Sequence, residues 1–320
     1  MENQWLIVAN PASGDGAVRK NLLEIERVFT EKKIPFTLRC STYSREVTAI
    51  VQKAILTEGY RKIIGIGGDG TMNEIVNGIF QQNLIPTTDI IFTMLPIGTG
   101  NDWATTHKIP KHLDHFMAFI LSEGTPIERG GIKFQDVGVV NYKDTQGESR
   151  THYFANAGGL AYDALVVRSV EAQKRFLFGK KIAYFLHILT CLWAYKPEKT
   201  QVEFDGQTIT DFFYTLNIGI NKTSGGGMQL TPQAVNDDGW MALTLIRNMP
   251  KWKVVYYTSK LRNGSIGEIT RYVSLHQAKN IKINGLSMPL FIETDGELLG
   301  ETPIEISILE KKLCVLSCNT

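Results

Sequence analysis

The chain of 320 residues lacks the features that would place it in a membrane or in the secretory pathway. Its longest apolar stretch, residues 182–195, is interrupted by His187 and Thr190 and is shorter than the roughly 20 residues that span a bilayer. The first residues lack the basic segment and apolar run of a signal peptide. We therefore predict a cytoplasmic protein that at most touches a membrane surface.

Two other absences narrow the chemistry. The four cysteines, at positions 40, 191, 314 and 318, show neither metal-ligand spacing nor a disulfide pattern, which is typical of reduced thiols in the cytoplasm. No Gly-x-x-x-x-Gly-Lys-Ser/Thr occurs, so the chain has no P-loop. The formal net charge of +2 gives no reason to expect a nucleic-acid partner.

The pattern along the chain changes near residues 125–132. Residues 1–128 alternate strand-like and helix-like segments, which predicts an α/β domain with a largely parallel sheet. Residues 129–320 contain many short strands separated by Asp-Gly and Asn-Gly turns, with helical segments near 163–195 and 251–264. This half is predicted to be a mainly antiparallel β-sandwich.

The most informative segment is residues 63–77, where an apolar run ends in Gly-Gly-Asp-Gly-Thr. Apolar residues then recur at helical spacing, so the segment reads as strand, glycine turn and helix. Free N–H groups at such a helix start can hold a phosphate. A simpler alternative is a tight turn in which Asp69 and Thr71 cap the helix.

Two more small-residue loops follow predicted strands, at residues 10–16 and 96–102. The carboxyl ends of parallel strands meet at one edge of a sheet, where ligands bind. Three such loops, with Asp69 and Asp102 among their side chains, suit a polyphosphate and its Mg²⁺.

The motifs also carry a family resemblance. Asn-Pro-x-Ser-Gly at 10–14, Gly-Gly-Asp-Gly-Thr-x-Asn-Glu-x-x-Asn-Gly at 67–78 and Pro-x-Gly-Thr-x-Asn-Asp at 96–102 resemble the diacylglycerol kinase catalytic-domain family, which includes soluble bacterial lipid kinases and, more distantly, sphingosine and ceramide kinases. Segments at 158–164, 225–239 and 295–297 are similar to later motifs of that family. The resemblance implies a first domain like those of NAD kinases and phosphofructokinases.

The resemblance assigns roles position by position. Asp69 and Asp102, with Asn101, would organise the catalytic Mg²⁺ through water, and Asp295 or Glu297 would take the proton from a lipid hydroxyl. The residues expected to contact ATP are Asn10, Pro11, Ala12, Ser13, Gly14, Thr42, Gly68, Asp69, Gly70, Thr71, Met72, Asn73, Glu74, Thr99 and Asn101.

A second Mg²⁺ with a structural role is implied on the Asp238 side chain and the Val235 and Trp240 carbonyls. The alternative for residues 238–239 is an ordinary hairpin turn, and residues 295–297 could likewise be only a turn between strands. Thr42 could simply cap the helix that begins near Ser44.

The chain departs from the family after Asn101-Asp102-Trp103-Ala104, where an Arg is expected and Thr105 stands. Lys108 or a residue of the second domain could supply the missing charge. A lipid kinase must also reach a membrane. Lys174, Arg175, Lys180 and Lys181 flank aromatics before the apolar stretch and could bind an anionic surface, with 251–253 as a weaker candidate. A helix buried against the second domain is the alternative.

We therefore predict an ATP- and Mg²⁺-dependent kinase that phosphorylates a lipid hydroxyl, with diacylglycerol as the leading acceptor, in a cleft between the two domains. Its partners would be the membrane lipid and the inner membrane face, and a homodimer stays open. The alternatives are a kinase of a soluble acceptor such as NAD, and a nucleotide- or lipid-binding regulator without catalysis.

Overall fold

The computed structural model describes residues 4–43, 45–121, 131–144, 146–172 and 190–318. The chain divides by its internal contacts into unit 1, Met1–Val137 with Glu310–Thr320, and unit 2, Gly138–Leu309. The predicted boundary at 128/129 and the predicted basic segment 174–181 lie outside the described residues. Among the helices that are described, none has both the length and the hydropathy needed to cross a bilayer.

Unit 1 is built from alternating strands and helices. Its first four strands, β1 to β4, form a parallel sheet in which β1 pairs with β2 and with β3, and β3 pairs with β4. Its elements are β1 (Trp5–Ala9), α1 (Ala17–Glu31), β2 (Phe36–Cys40), α2 (Glu46–Glu58), β3 (Lys62–Gly67), α3 (Asp69–Gln81), a short 3₁₀ helix (Thr87–Asp89), β4 (Ile91–Pro96), α4 (Asp102–Thr106) and α5 (Leu113–Leu121).

Burial explains why these segments fold as they do. Strands β1 and β4 are buried at every position, and Thr93 is the one polar residue in them, as expected for strands covered on both faces. On α3 the residues at helical spacing that the sequence marked, from Met72 to Phe80, are all buried. On α1 the buried face consists of Val18, Ile25 and Phe29.

The last strand of the chain has residues in both units, whereas the second domain was predicted to comprise residues 129–320. Strand β14 (Glu297–Leu316) is long enough to have residues in both units. Its final part is buried in unit 1, where Val315 pairs in parallel with Phe92 of β4. The internal contacts of the chain therefore place the end of β14 with the first unit, where Leu313, Cys314, Val315 and Leu316 are buried.

Unit 2 is rich in strands, as predicted. Its elements are the end of β5 (Ile132–Lys143), β6 (Ser149–Phe154), β7 (Ala157–Ala161), α6 (Tyr162–Ala172), β8 (Glu198–Phe204), β9 (Gln207–Gly219), β10 (Met241–Arg247), α7 (Lys251–Arg262), a short 3₁₀ helix (Ile266–Glu268), β11 (Val273–Ala278), β12 (Asn280–Gly285), β13 (Phe291–Thr294) and the first part of β14.

Six of these strands close into an antiparallel ring, a closure that the predicted mainly antiparallel β-sandwich did not include. The order is β7, β9, β8, β12, β14, β13 and back to β7. The ring closes because long strands change partners along their length: β9 pairs with β8 through residues 207–213 and with β7 through residues 215–219. Strand β10 pairs with β9, and β11 pairs with β10.

The interior of the ring is an apolar core that includes Leu160, Phe213, Leu216, Ile283 and Ile292. A second cluster lies beside it, where α7 packs Val254, Tyr257 and Leu261 against buried residues of unit 2. The ring thus fixes the short β13–β14 turn, and the second cluster fixes one face of α7.

Candidate active site

The three small-residue loops of unit 1 lie at one edge of its sheet, because β1, β3 and β4 are parallel neighbours. We call them the first loop (10–16), the second loop (67–71) and the third loop (96–102). Backbone hydrogen bonds join them at their roots. The N–H of Asn10 donates to the Ile66 carbonyl at 3.1 Å, and the N–H of Ile97 donates to the Gly67 carbonyl at 2.7 Å.

Asp69 fastens the third loop to the second. Its Oδ2 accepts the N–H of Asn101 at 2.8 Å and its Oδ1 accepts the N–H of Trp103 at 3.3 Å. Burial raises the pKa of Asp69 above its usual value, and the nearby Asp102 carboxylate raises it further. The N–H donors lower the pKa, but their effect is smaller. Asp69 therefore binds the start of α4 rather than capping its own helix. Thr71 instead contacts the Ser13 hydroxyl of the first loop, with 3.2 Å between the oxygens.

The second and third loops approach each other backbone to backbone. A Cβ atom on Gly98 would lie 2.7 Å from the Cα of Gly68, so a side chain there would push the loops apart. Gly68 is also the N-cap of α3, and no side chain caps that helix start. Its first N–H groups can therefore serve an anionic ligand.

Asn101 provides an acceptor that the described residues do not satisfy. Its backbone has a φ of 57° at the N-cap of α4, and its Nδ2 donates to the Gly98 carbonyl at 2.7 Å. The opposite atom, Oδ1, is buried and has no hydrogen-bond partner. Asp102, the next residue, is buried as well. An unsatisfied oxygen beside two carboxylates is a setting that a hard cation would stabilise.

Two residues expected to contact ATP are used to build the start of α2. The Thr42 hydroxyl donates to Oε2 of Glu46 at 2.9 Å. This contact is similar to the alternative in which Thr42 caps the helix that begins near Ser44. Oε2 of Glu74 accepts the N–H of Val47 at 3.1 Å. Met72 is wholly buried, so only its backbone remains for a ligand.

The other residues of this group have varied surroundings. Asn10 shapes the first loop, because its Oδ1 accepts the N–H of Ala12 at 3.1 Å. Asn73 is buried beside Asn77, whose Nδ2 donates to its carbonyl at 3.0 Å. Thr99 and Gly70 are exposed. The ATP assignments of these residues stay predictions.

A pocket of about 590 Å³ opens beside the first and third loops. Among the described residues that line it, Lys111 is the only Lys or Arg, and it is exposed. Lys108, the expected substitute for the missing Arg, is not among them. Lys111 could not be identified from the sequence, because a surface lysine in a polar segment has no local pattern. The lining residues are Gly14, Asp15, Ala17, Asn21, Glu24, Ile25, Leu95, Pro96, Ile97, Gly98, Thr99, Gly100, Asn101, Lys111, His112 and Leu113.

In unit 2, Asp295 and Gly296 form the two-residue turn between β13 and β14, and both have positive φ, as a type I′ hairpin requires. The buried Asp295 carboxylate accepts three backbone N–H groups. Oδ2 takes that of Ala155 at 3.1 Å, and Oδ1 takes those of Asn156 at 3.1 Å and Ala157 at 3.0 Å. Asp295 therefore holds the β6–β7 connection, while Glu297 begins β14 half-buried.

Two further acids lie behind this turn and were not singled out from the sequence as site residues. Burial, and then the charge of Asp163, raise the pKa of Glu293 to about 8. Burial raises the pKa of Asp163 to about 6, against a hydrogen bond from Thr215 at 2.8 Å. Oε2 of Glu293 accepts the N–H of Gly296 at 3.0 Å. The signal that could have found Glu293 is an acid that directly follows the apolar residues Leu290, Phe291 and Ile292 of a predicted strand.

The region predicted to hold a structural metal has the contacts of an ordinary turn. Oδ1 of Asp238 accepts the N–H of Trp240 at 3.0 Å, and Gln277 donates to Oδ2 at 3.4 Å. The Lys279 ammonium lies 4.9 Å from the centre of the Trp240 ring, which brings a positive charge close to the expected cation. Val235 is exposed. The metal role of Asp238, Val235 and Trp240 stays a prediction.

Comparison with known proteins finds two family models, one for each half of the chain. Residues 4–129 match the diacylglycerol kinase catalytic domain, and residues 157–317 match the YegS C-terminal NAD kinase beta sandwich-like domain. A diacylglycerol kinase of Bacillus subtilis (strain 168) is 26% identical over 312 residues, covering 97% of this chain and 95% of its own.

Solved structures show the same fold. A protein from Bacillus anthracis strain Sterne matches with a TM-score of 0.75 at 21% identity, covering 99% of this chain and 97% of that one. Yeast NADH kinase matches with a TM-score of 0.50 at 11% identity, covering 99% and 84%. Since the two family models together account for most of the sequence, and the curated relative is similar over nearly its whole length, this chain belongs to the diacylglycerol kinase family.

Proposed function

We propose that the protein transfers the γ-phosphoryl group of ATP to the hydroxyl of a lipid, with diacylglycerol as the acceptor and phosphatidic acid as the product. The observation that carries this proposal is the way in which Asp69 binds the third loop while the start of α3 is left without a side-chain cap. The arrangement presents backbone N–H groups at the edge of the sheet, and phosphoryl transfer depends mainly on such positioning.

The charges of the loops support a cation as part of the site. The three loops contain Asp15, Asp69 and Asp102 and neither Lys nor Arg, so they would repel a triphosphate on their own. The residues fit Mg²⁺, because Asn101 Oδ1 is unsatisfied and the pKa of Asp69 is raised partly by its neighbour Asp102. When bound, Mg²⁺ would neutralise phosphate oxygens. Asp69, Asp102 and Asn101 would hold it.

Lys111 would supply the positive charge that the loops lack. It lines the pocket together with Gly14 and Thr99, which belong to the first and third loops. A flexible ammonium group at this place can follow a phosphate oxygen without fixed geometry. We assign to it the binding of the nucleotide phosphates, in place of the Arg that is missing after Ala104.

In unit 2, Glu297 would act as the general base. Asp295, the other candidate, is already bound by three backbone N–H groups and builds the turn. Glu297 stands two residues further, half-buried at the start of β14. It would accept the proton of the lipid hydroxyl as that oxygen attacks phosphorus.

The test is transfer of labelled phosphate from ATP to diacylglycerol in detergent micelles, with the product identified by mass spectrometry. We expect Glu297→Gln to lower kcat about 100-fold or more, as for the loss of a general base, while calorimetry shows unchanged ATP binding. Glu305→Gln is the matched control, because Glu305 lies on the same strand and is paired with Lys282 on the surface.

Three results would contradict the proposal. A wild-type protein inert towards a broad lipid panel would favour a binding or regulatory role. Phosphorylation of NAD or NADH without any lipid product would favour a kinase of a soluble acceptor. Full activity of the Glu297→Gln variant would remove Glu297 as the base.

A further inference from the structure

Helix α7 carries apolar side chains on two faces, and unit 2 covers only one of them. Val254, Tyr257 and Leu261 pack against the second apolar cluster. On the outward side, Trp252 is 65% exposed and Tyr256 is 71% exposed. A surface helix normally presents polar residues there, so this outward face has the composition of a covered surface.

Two other residues with exposed apolar side chains have their backbone carbonyls hydrogen-bonded at or just before the start of the same helix. The carbonyl of Phe212, whose side chain is 47% exposed, accepts the N–H of Asn248 at 2.7 Å, just before α7 begins. The carbonyl of Trp193, 59% exposed, accepts a hydrogen bond from Nζ of Lys251. We call Trp193, Phe212, Trp252, Val255 and Tyr256 the α7 surface; all five are exposed.

The charged side chains of helix α7 all have one sign. Helix α7 contains Lys251, Lys253, Lys260 and Arg262 and neither Asp nor Glu. Of the four, Lys260 is paired with Glu268 at 2.5 Å. The Lys253 ammonium lies 5.4 Å from the centre of the Trp252 ring. Cations that border exposed aromatic rings match the interface of an anionic bilayer, where rings lie at the headgroups and cations meet phosphates.

We propose that the α7 surface docks unit 2 onto an anionic lipid bilayer. This inference rests on the proposed function, because a diacylglycerol-like acceptor resides in a membrane. A second copy of the chain fits the surface poorly. A two-fold contact through α7 would bring the same four cations of each copy together, and like charges across an interface are unfavourable.

The experiment is sedimentation of the full chain with vesicles of phosphatidylcholine alone or mixed with phosphatidylglycerol. The wild type should bind the mixed vesicles. The double variant Trp252→Ser/Tyr256→Ser should bind them with an affinity at least about tenfold lower. Leu84→Ser, which changes a 75% exposed leucine of unit 1, is the matched control and should bind like the wild type. Lys251→Gln/Arg262→Gln should weaken binding about tenfold and flatten its salt dependence.

A second readout locates the contact. Brominated lipids should quench the tryptophan fluorescence of the wild type more than that of Trp252→Phe. The inference is overturned if the double variant binds mixed vesicles like the wild type, or if the wild type binds none. It is also overturned if the substitutions abolish a dimer in light scattering without any effect on vesicles.

The failure of this inference can be told apart from the failure of the proposed function. All of these variants should phosphorylate detergent-dispersed diacylglycerol at the wild-type rate, because none of the substituted residues belongs to the loops or to the β13–β14 turn. If the wild type phosphorylates micellar lipid but does not bind vesicles, only the docking surface is wrong. If it does not phosphorylate any lipid, the proposed function is wrong.

Discussion

At the scale of single residues, the positive charge for a nucleotide has to come from outside the loops. We expect Lys111→Gln to raise the KM for ATP about tenfold, because it removes one charge from the pocket beside the first and third loops. The effect should shrink at high salt, where screening weakens the contact in the wild type. Steady-state kinetics at two ionic strengths measures both.

Lys108→Gln is the control for this prediction. Lys108 is exposed and three residues away, but it does not line the pocket, so its loss should leave the KM unchanged. If both variants raise the KM for ATP equally, the charges act through the overall electrostatic field of unit 1 and Lys111 has no specific role. If only Lys108→Gln raises the KM, the assignment of Lys111 is wrong.

The sequence located the three loops because each one directly follows an apolar strand, and that pattern is local. It did not show what each side chain would contact. Thr42 and Glu74 were both expected to contact ATP, yet their side-chain oxygens contact the start of α2. Lys111 joins the pocket only once α5 is folded against the sheet. Such contacts depend on the approach of distant segments, which motif letters do not specify.

At the scale of elements, Gly78 sets the spacing between α2 and α3. A Cβ atom on Gly78 would lie 2.7 Å from Cβ of Val51 and 2.9 Å from the Thr48 carbonyl. We expect Gly78→Ala to lower the free energy of unfolding by about 1–3 kcal/mol, although alanine favours helix. Chemical denaturation measures this change.

The same helix offers a control for this substitution. Near Gly70, in the first turn of α3, a Cβ would meet no atom within 4 Å. Gly70→Ala should therefore leave the stability unchanged or raise it by up to about 1 kcal/mol. Equal destabilisation by both alanines would show that helix packing is not the cause.

Two buried acids, Asp163 of α6 and Glu293 of β13, should make the stability of the protein depend on pH. The pKa of Glu293 is raised from 4.5 to about 8, so the folded chain holds this proton more tightly than the unfolded chain. Its contribution is complete below the unfolded pKa and is lost as the pH rises through the folded pKa. Asp163 acts in the same direction but only up to its folded pKa of about 6.

The window above the pKa of Asp163 therefore isolates Glu293. Between about pH 6.5 and 9, the wild type should lose on the order of 2 kcal/mol relative to Glu293→Gln. Glu305→Gln changes an exposed acid of β14 and should follow the wild type. Parallel pH profiles for the wild type and Glu293→Gln would show that Glu293 is already ionised at neutral pH.

The elements themselves were partly predictable. Alternating or continuous apolar segments marked most strands, including β9, β10 and β13. Strand β7 was missed because Ala-Gly-Gly-Leu-Ala has no β-branched residue to signal it. The closed ring was predicted as a sandwich, because closure requires β12 to meet β8 and β13 to meet β7. Pairs between segments so far apart leave no local pattern.

At the scale of the whole molecule, unit 1 consists of two separate stretches of the chain. Its second stretch contributes Leu313, Cys314, Val315 and Leu316, all buried. Backbone bonds also hold it, since the N–H of Ser317 donates to the Gly131 carbonyl at 2.8 Å and the N–H of Cys318 to the His107 carbonyl at 3.3 Å. The first 137 residues therefore lack part of their own core.

A chain that ends after Leu309 should have an unfolded unit 1. Burial of an apolar side chain contributes about 1.5–3 kcal/mol, so the loss of four approaches the roughly 5–15 kcal/mol that stabilise a domain. Trp5 and Trp103 are buried in unit 1, so the fluorescence of the truncated chain should shift to the red. ATP binding should disappear when unit 1 unfolds, while unit 2 keeps its β-sheet signal in circular dichroism.

A chain that ends after Cys318 is the control and should behave like the full chain. Unchanged fluorescence and ATP binding after truncation at Leu309 would mean that unit 1 folds without its last strand.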